Sequence, residues 1–447
     1  MTPTGKPSNL LPVPSAPHRI AMRLLPLAGI ASLLSGSIFW LRRVGWLQPE
    51  KYWFTNTALA ATSPNPSDDA GVHAFVTAHH DSLHQLDGWL VATKYAKEAV
   101  LAAFLLLAVS QLMRVRPPRG FGVAYAGLFL LGALSAATTA FTGAWFALLA
   151  GARSFAAWLI GLGVSPLLDE AMLRRTSRVF TWVFLAQVVL ALIEFRRGMQ
   201  IYTIYLFEQD FIRVVGSFNL PVSLGTFSVV AWALACCWGG YSRRTLAALS
   251  CLLAIVLVMN GSATSWMAWA ATATVMHLPR LARRWRIAFL LATLPAAMLA
   301  WSALPALTGR YDVHDSLWGR IAPAQAYAET HLSTRQVLFG TGFGIGTNAL
   351  VRTEGTKLHS RRAMPDWPIG DSLPAALFWQ VGLVGMAFAY ALFALALRTD
   401  ERARPIGIAI LVSSVGVNVT ELFPVNLILA FWLANAARQG SAHAGER

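Results

Sequence analysis

The chain has 447 residues, of which 56% are hydrophobic and only 13% charged, and it carries a net charge of +15. Soluble globular proteins have about a quarter of their residues charged, so this deficit, together with recurring apolar runs of about 20 residues, excludes an ordinary soluble domain. The basic excess does not point to nucleic acid, because it falls in small clusters between apolar runs, as expected of cytoplasmic loops in a membrane protein.

The expected architecture is all-α and polytopic, with about twelve transmembrane helices and one large periplasmic loop between the ninth and tenth. A basic tail, 1–19, precedes the first apolar run at about 20–41. That run is long enough to span, and the small-residue stretch near 60 lies too far downstream for a signal-peptide cleavage site, so a retained first helix is expected. Further spans are expected at about 89–113, 121–137, 145–167, 180–195, 218–238, 246–259, 265–277, 288–307, 373–397, 406–419 and 424–437. They form a single transmembrane domain over 20–438, with a short cytoplasmic tail at 439–447. Arg153 falls in the outer half of the fourth span.

Alternation supports this order. Every second helix end meets a basic cluster: Arg114 to Arg119, Arg174 to Arg178, Arg243 and Arg244, Arg280 to Arg286, and Arg398 to Arg404. Placing these in the cytoplasm puts loops 42–88, 196–216 and 308–371 outside, and inverting the chain would export all five clusters. Cys236, Cys237 and Cys251 all lie inside apolar runs, so neither a disulfide framework nor a thiolate metal site is expected.

The outer loops hold the candidate chemistry. Arg196, Arg197, Arg213, Arg310, Arg320, Arg335, Arg352, Lys357, Arg361 and Arg362 lie there. Guanidinium groups suit bidentate recognition of phosphate, and a lipid-linked phosphate or pyrophosphate is the anion at hand beside a membrane. Pairing with Asp312, Asp315, Glu329, Glu354 and Asp366, or with headgroups, is the competing explanation for any one of them. The run Gly340-Thr-Gly-Phe-Gly-Ile-Gly346 lacks the strand–helix setting of a nucleotide loop, and GxxxxGK followed by Ser or Thr is absent; close backbone packing is expected instead. The spacing of His79, His80 and His84 could put two of them on one helical face, but HExxH is absent and no cysteine lies near, so neither metal nor cofactor is expected. His314, His331 and His359 are possible bases in the main loop. Asp371 enters the tenth span beside Ser372 and Pro374, a pattern that fits an N-terminal cap and equally a carboxylate able to take a proton from a sugar hydroxyl.

Between about 180 and 437 the chain resembles the bacterial family of O-antigen ligases and O-antigen or exopolysaccharide polymerases. The residues that carry the likeness are Arg213-Val-Val-Gly-Ser-Phe-Asn-Leu-Pro221, the Asn260–Ser265 turn and Arg320 followed by 338–344. Asp371 and Ser372 with Gly382 and Gly385, and Glu421 to Asn426, complete it. Two departures stand out. The ligase branch has histidine where this chain has Asp371, and the 260–265 turn lacks the arginine usual there.

The resemblance implies an inner-membrane glycosyltransferase, with polymerase favoured over ligase because of Asp371. Donor and acceptor would be glycans on undecaprenyl pyrophosphate, with transfer at the periplasmic face, inverting and metal-independent. Asp371, His359 and Arg320 are the expected catalytic residues, with Arg213, Arg310, Arg361 and Arg362 holding the donor pyrophosphate. A chain-length regulator or a flippase would be a partner. The ligase alternative changes only the acceptor, to lipid A–core. A lipid-linked oligosaccharide transporter would need polar groups at mid-membrane, whereas the apolar runs read as clean.

Overall fold

A bilayer core offers backbone amides no water, so each apolar run must satisfy its own hydrogen bonds and becomes a helix. The computed structural model describes residues 15–43, 88–141, 144–196, 213–218, 220–278, 329–330, 332–347 and 372–445. Among them helix predominates and no strand occurs, and eight helices are long and apolar enough to cross a membrane. The protein is an all-α, multi-pass membrane protein.

In chain order the helices are α1 (Ala16–Arg43), α2 (Gly88–Gln111), α3 (Arg119–Phe141), α4 (Trp145–Gly163), α5 (Glu170–Arg196), α6 (Pro221–Trp238), α7 (Arg243–Asn260), α8 (Ala263–His277), the short α9 (Thr334–Phe339), α10 (Leu373–Thr399), α11 (Arg404–Ser413) and α12 (Val425–Gly445). Their ends carry ordinary punctuation. Ser242 caps α7 by accepting from the Thr245 amide, and Gly261 closes it in the left-handed region. Pro221 and Pro405 occupy first turns, where a missing N–H is harmless.

From α1 to α8 successive helices alternate in direction, and the basic clusters among the described residues gather at one end of the bundle. Hydrogen bonds tie that end together. Arg402 Nε donates to the carbonyl of Cys237 at the end of α6, and Ser441 Oγ on α12 donates to the carbonyl of Arg116. His18 at the start of α1 meets the Leu167 carbonyl and the Asp169 carboxylate. The 280–286 cluster and the expected ninth span lie outside the described residues, as do most of loops 42–88, 196–216 and 308–371.

A helix diluted by asparagine is nonetheless deeply buried. On α12, residues 425 to 437 are buried on every face, Phe431 and Trp432 included, and it packs between α4 and α10. A helix walled in by protein does not need an apolar rim, so Asn426 and Asn435 are accommodated as long as each is bonded: Asn426 Nδ2 donates to the Thr420 carbonyl and Asn435 Nδ2 to Asp400. Peripheral α2, α3 and α5 instead expose Leu106, Val123, Leu130, Trp182 and Val189, side chains suited to lipid.

Three segments differ from expectation. α5 begins ten residues early, at Glu170, because Asp169 caps it by accepting from the Met172 amide, so Arg174, Arg175 and Arg178 lie on the helix. The eleventh segment is helical only over Arg404–Ser413, about 15 Å at 1.5 Å per residue, half a hydrocarbon core. Beyond it Ser413, Ser414, Gly416, Asn418 and Thr420 break the apolar run, and 414–424 is an irregular segment inside the half of the bundle away from the basic end. Buried by neighbouring helices, it pairs Ser414 Oγ with the Leu411 carbonyl and Thr420 Oγ1 with Asn418 Oδ1. Finally, α12 continues through the expected tail to Gly445.

Candidate functional site

The segment 213–218 is held from three sides. Glu194, fully buried in the last turn of α5, accepts through Oε2 from the amides of Val215 (3.1 Å) and Gly216 (2.9 Å). Two turns earlier on the same helix, Gln187 accepts from the Ser217 amide at 2.9 Å and donates to its hydroxyl at 2.5 Å. Asn260, the last residue of α7, donates to the carbonyls of Val214 (3.2 Å) and Pro221, and the Val214 amide donates to Met259. Gly216 has φ 56° and sits where a Cβ would strike the Gln187 amide, so glycine is required there. On this frame Arg213 is half-buried, with Nε donating to the carbonyl of Asn260 at 3.1 Å. The arginine segment and the 260–265 turn are therefore one structural unit.

The glycine run packs as expected. Thr341 donates through both its amide (2.8 Å) and its hydroxyl (2.9 Å) to the Trp379 carbonyl on α10. The Phe343 amide donates to Thr139 Oγ1 at 2.7 Å, and the Gly344 amide to Gln380 Oε1 at 3.2 Å. Gly344, with φ 80°, lies directly against the backbone of Ala147 and Gly151 on α4. α10 accommodates the run by breaking: Gly382 has φ 67° and ψ −172° inside it and lies against the backbone of Leu338 and Phe339.

The irregular segment 414–424 joins these parts. The Leu373 amide, at the mouth of α10, donates to the Ser414 carbonyl at 2.9 Å. Gly416 lies against Thr264 in the first turn of α8, beside the 260–265 turn. Thr420 Oγ1 meets Ser154 Oγ of α4 at 3.1 Å and Asn418 Oδ1 at 2.7 Å, and Gln380 Nε2 reaches the same Ser154 hydroxyl at 3.4 Å. Beside Ser154, Arg153 donates through Nε to both carboxylate oxygens of Glu98 at 2.9 Å, and through Nη2 to the Glu421 carbonyl at 3.2 Å. This corrects the expectation of clean apolar runs, since a charged pair and a polar network lie within the bundle.

Of the expected site residues, only Arg213 is placed. Arg310, Arg320, His359, Arg361, Arg362 and Asp371 lie outside the described residues. Ser372, adjacent to Asp371, caps α10 by accepting from the Ala375 amide at 3.4 Å. Sequence reasoning missed Glu194, Gln187 and Glu98. Glu194 carried a readable signal, since it is a lone acid at the end of an apolar run.

The structure thus brings four segments together away from the basic end: 213–218, the 260–265 turn, the start of α10 and 414–424. No family model matches the chain, and no curated protein or solved structure matches it.

Proposed function

We propose that the protein is a polysaccharide polymerase. It moves a growing glycan from undecaprenyl pyrophosphate onto the next lipid-linked repeat unit at the periplasmic face of the inner membrane. The observation that carries this reading is the convergence just described: segments from separate parts of the chain, each a carrier of the family resemblance, meet at the end opposite the basic clusters. The positive-inside rule assigns that opposite end to the periplasm.

In the proposed reaction a hydroxyl of the acceptor sugar attacks the anomeric carbon of the donor. A carbon–oxygen bond forms, the bond to the pyrophosphate breaks, and the configuration inverts in one displacement. Asp371 or His359 takes the hydroxyl proton. The departing diphosphate carries the developing charge, which Arg213, with Arg310, Arg320, Arg361 and Arg362, would stabilise. Arg213 fits this role because its backbone is fixed by buried groups, so its guanidinium needs little reorganisation as charge develops.

Purified protein incubated with a lipid-linked repeat unit should yield a ladder of longer glycans. Arg213→Ala and Asp371→Asn should each lower the rate by about 100-fold or more, the usual effect of removing one group that acts on transition-state charge or on the transferred proton. Full-rate polymer from both variants overturns the assignment, and product only on lipid A–core makes the protein a ligase.

One observation favours a second reading. The Glu98–Arg153 pair, the break in α10 and the half-length α11 are features of a transporter, which binds polar cargo inside the bilayer. Glycan transfer in detergent, without a second compartment, excludes transport as the primary role.

A further inference from the structure

α2 and α4 run parallel and in register. Arg153 lies beside Glu98, 55 residues earlier in the chain, and Gly163 lies over Ala108 with the same offset. Glu98 is ten residues from the start of α2 and Arg153 eight from the start of α4. At 1.5 Å per residue Arg153 lies about 12 Å along α4, and Glu98 lies about 5 Å inside the apolar span of α2, which begins at Tyr95. Both side chains are partly exposed, and a pair of this kind contributes little stability by itself, so stability does not explain its presence.

The geometry does. Glu98 occupies only the Nε edge of the guanidinium, through two equal contacts of 2.9 Å, and leaves Nη2 turned onto the Glu421 carbonyl. The next residue, Ser154, holds Thr420. One turn of α4 therefore grips two consecutive residues of 414–424, whose other end is bonded to the start of α10 through Ser414 and Leu373. We infer that Arg153, oriented by Glu98, is a positioning residue: it fixes the irregular segment 414–424 and, through it, the α10 entrance. The consequence for catalysis rests on the polymerase reading, but the tie itself does not.

The tie is tested on the full chain in detergent, with Cys236, Cys237 and Cys251 replaced by alanine and one reporter cysteine introduced. Val419, buried in the irregular segment, gives the reporter Val419→Cys; Ala434, buried in α12, gives the control Ala434→Cys. Maleimide should label the first slowly while Arg153 is present. Arg153→Met should speed it about tenfold or more, as expected when a charge-assisted hydrogen bond no longer holds a local segment closed. Ala434→Cys should stay protected throughout. Arg153→Lys keeps the charge, but one ammonium does not reproduce the planar fork, so it should also loosen the segment and replaces the methionine variant if that fails to reach the membrane.

Unchanged labelling of Val419→Cys overturns the inference, and so does a parallel rise at Ala434→Cys, which would mean general loosening. In transfer assays Arg153→Lys should lower kcat about tenfold with the donor KM unchanged, the pattern of a group that acts only on the way to the transition state. Full transfer by Arg153→Lys despite faster labelling overturns the positioning role. If the unaltered protein transfers no glycan while the labelling pattern holds, the polymerase reading fails and the tie stands.

Discussion

The ion pairs differ between the two ends of the bundle. At the basic end the pairs are open to solvent: Glu170 meets Arg174 and Arg402 with both partners roughly half exposed, and Arg404 meets Glu401. Toward the other end, charged and polar groups are drawn inward and aimed at backbone. Glu194 takes two amides, Arg153 a carbonyl, Asn260 two carbonyls, and Gln187 an amide and a hydroxyl. Exposed pairs on flexible side chains fix little and contribute little. Buried groups bonded to irregular backbone fix one conformation, since each lost bond leaves a desolvated partner behind. The contrast separates exposed ion pairs from buried groups that set geometry, and Asp400 is one of the latter at the basic end, where it accepts from the Ala403 amide and from Asn435.

The sharpest way to break the buried geometry is at Gly344. Its φ of 80° already disfavours a side chain, and a Cβ would be driven into the Ala147 carbonyl in the wall of α4. Because backbone rather than a flexible side chain blocks it, Gly344→Ala should cost about 4 kcal/mol or more, among the largest effects of a single substitution. Thermal unfolding in detergent measures this, and a melting temperature within a few degrees of the unaltered protein would mean that the glycine run is not wedged as described. Glu194 gives the next effect. Glu194→Ala leaves the Val215 and Gly216 amides buried without this acceptor, about 2–4 kcal/mol in all, whereas Glu194→Gln keeps an acceptor oxygen and should lose about half as much. Equal losses from both would show that the negative charge matters, and not the hydrogen bonds.

The helices were legible because an apolar run of membrane length has one solution in lipid, and α1, α2 and α10 begin and end close to where the pattern places them. The internal arrangement was not. α12 looks marginal as a span because Asn426, Asn435 and Arg438 dilute it, yet its burial is decided by neighbours that periodicity does not report. The end of α11 is hidden for a similar reason: Ile410, Leu411 and Val412 continue the apolar run, and only the bonds of Ser414, Asn418 and Thr420 make the irregular path acceptable. At the site, Arg213 and the 260–265 turn were both singled out, but 47 residues separate Arg213 from Asn260, and no local rule joins them. Arg153 was visible as a charge inside the fourth span, whereas Glu98 was hidden beside Lys94 and Lys97. Pairing them requires knowing that α2 and α4 run parallel in register, which is a property of the packed bundle.

The smallest expected effect tests the other half of the comparison. Glu170 sits in the first turn of α5, where its charge meets the helix dipole as well as Arg174 and Arg402. Each of these interactions is exposed, so Glu170→Ala should lower stability by less than about 1 kcal/mol in dilute buffer. In 1 M salt, where the screening length is about 3 Å, most of that difference should disappear. The loss in Glu194→Ala should persist unchanged in the same salt, because its acceptor role is short-range and shut off from solvent. A Glu170→Ala loss that exceeded about 1 kcal/mol and survived high salt would place the exposed pairs among the elements that hold the fold's geometry, and the division of labour between exposed pairs and buried groups would no longer stand.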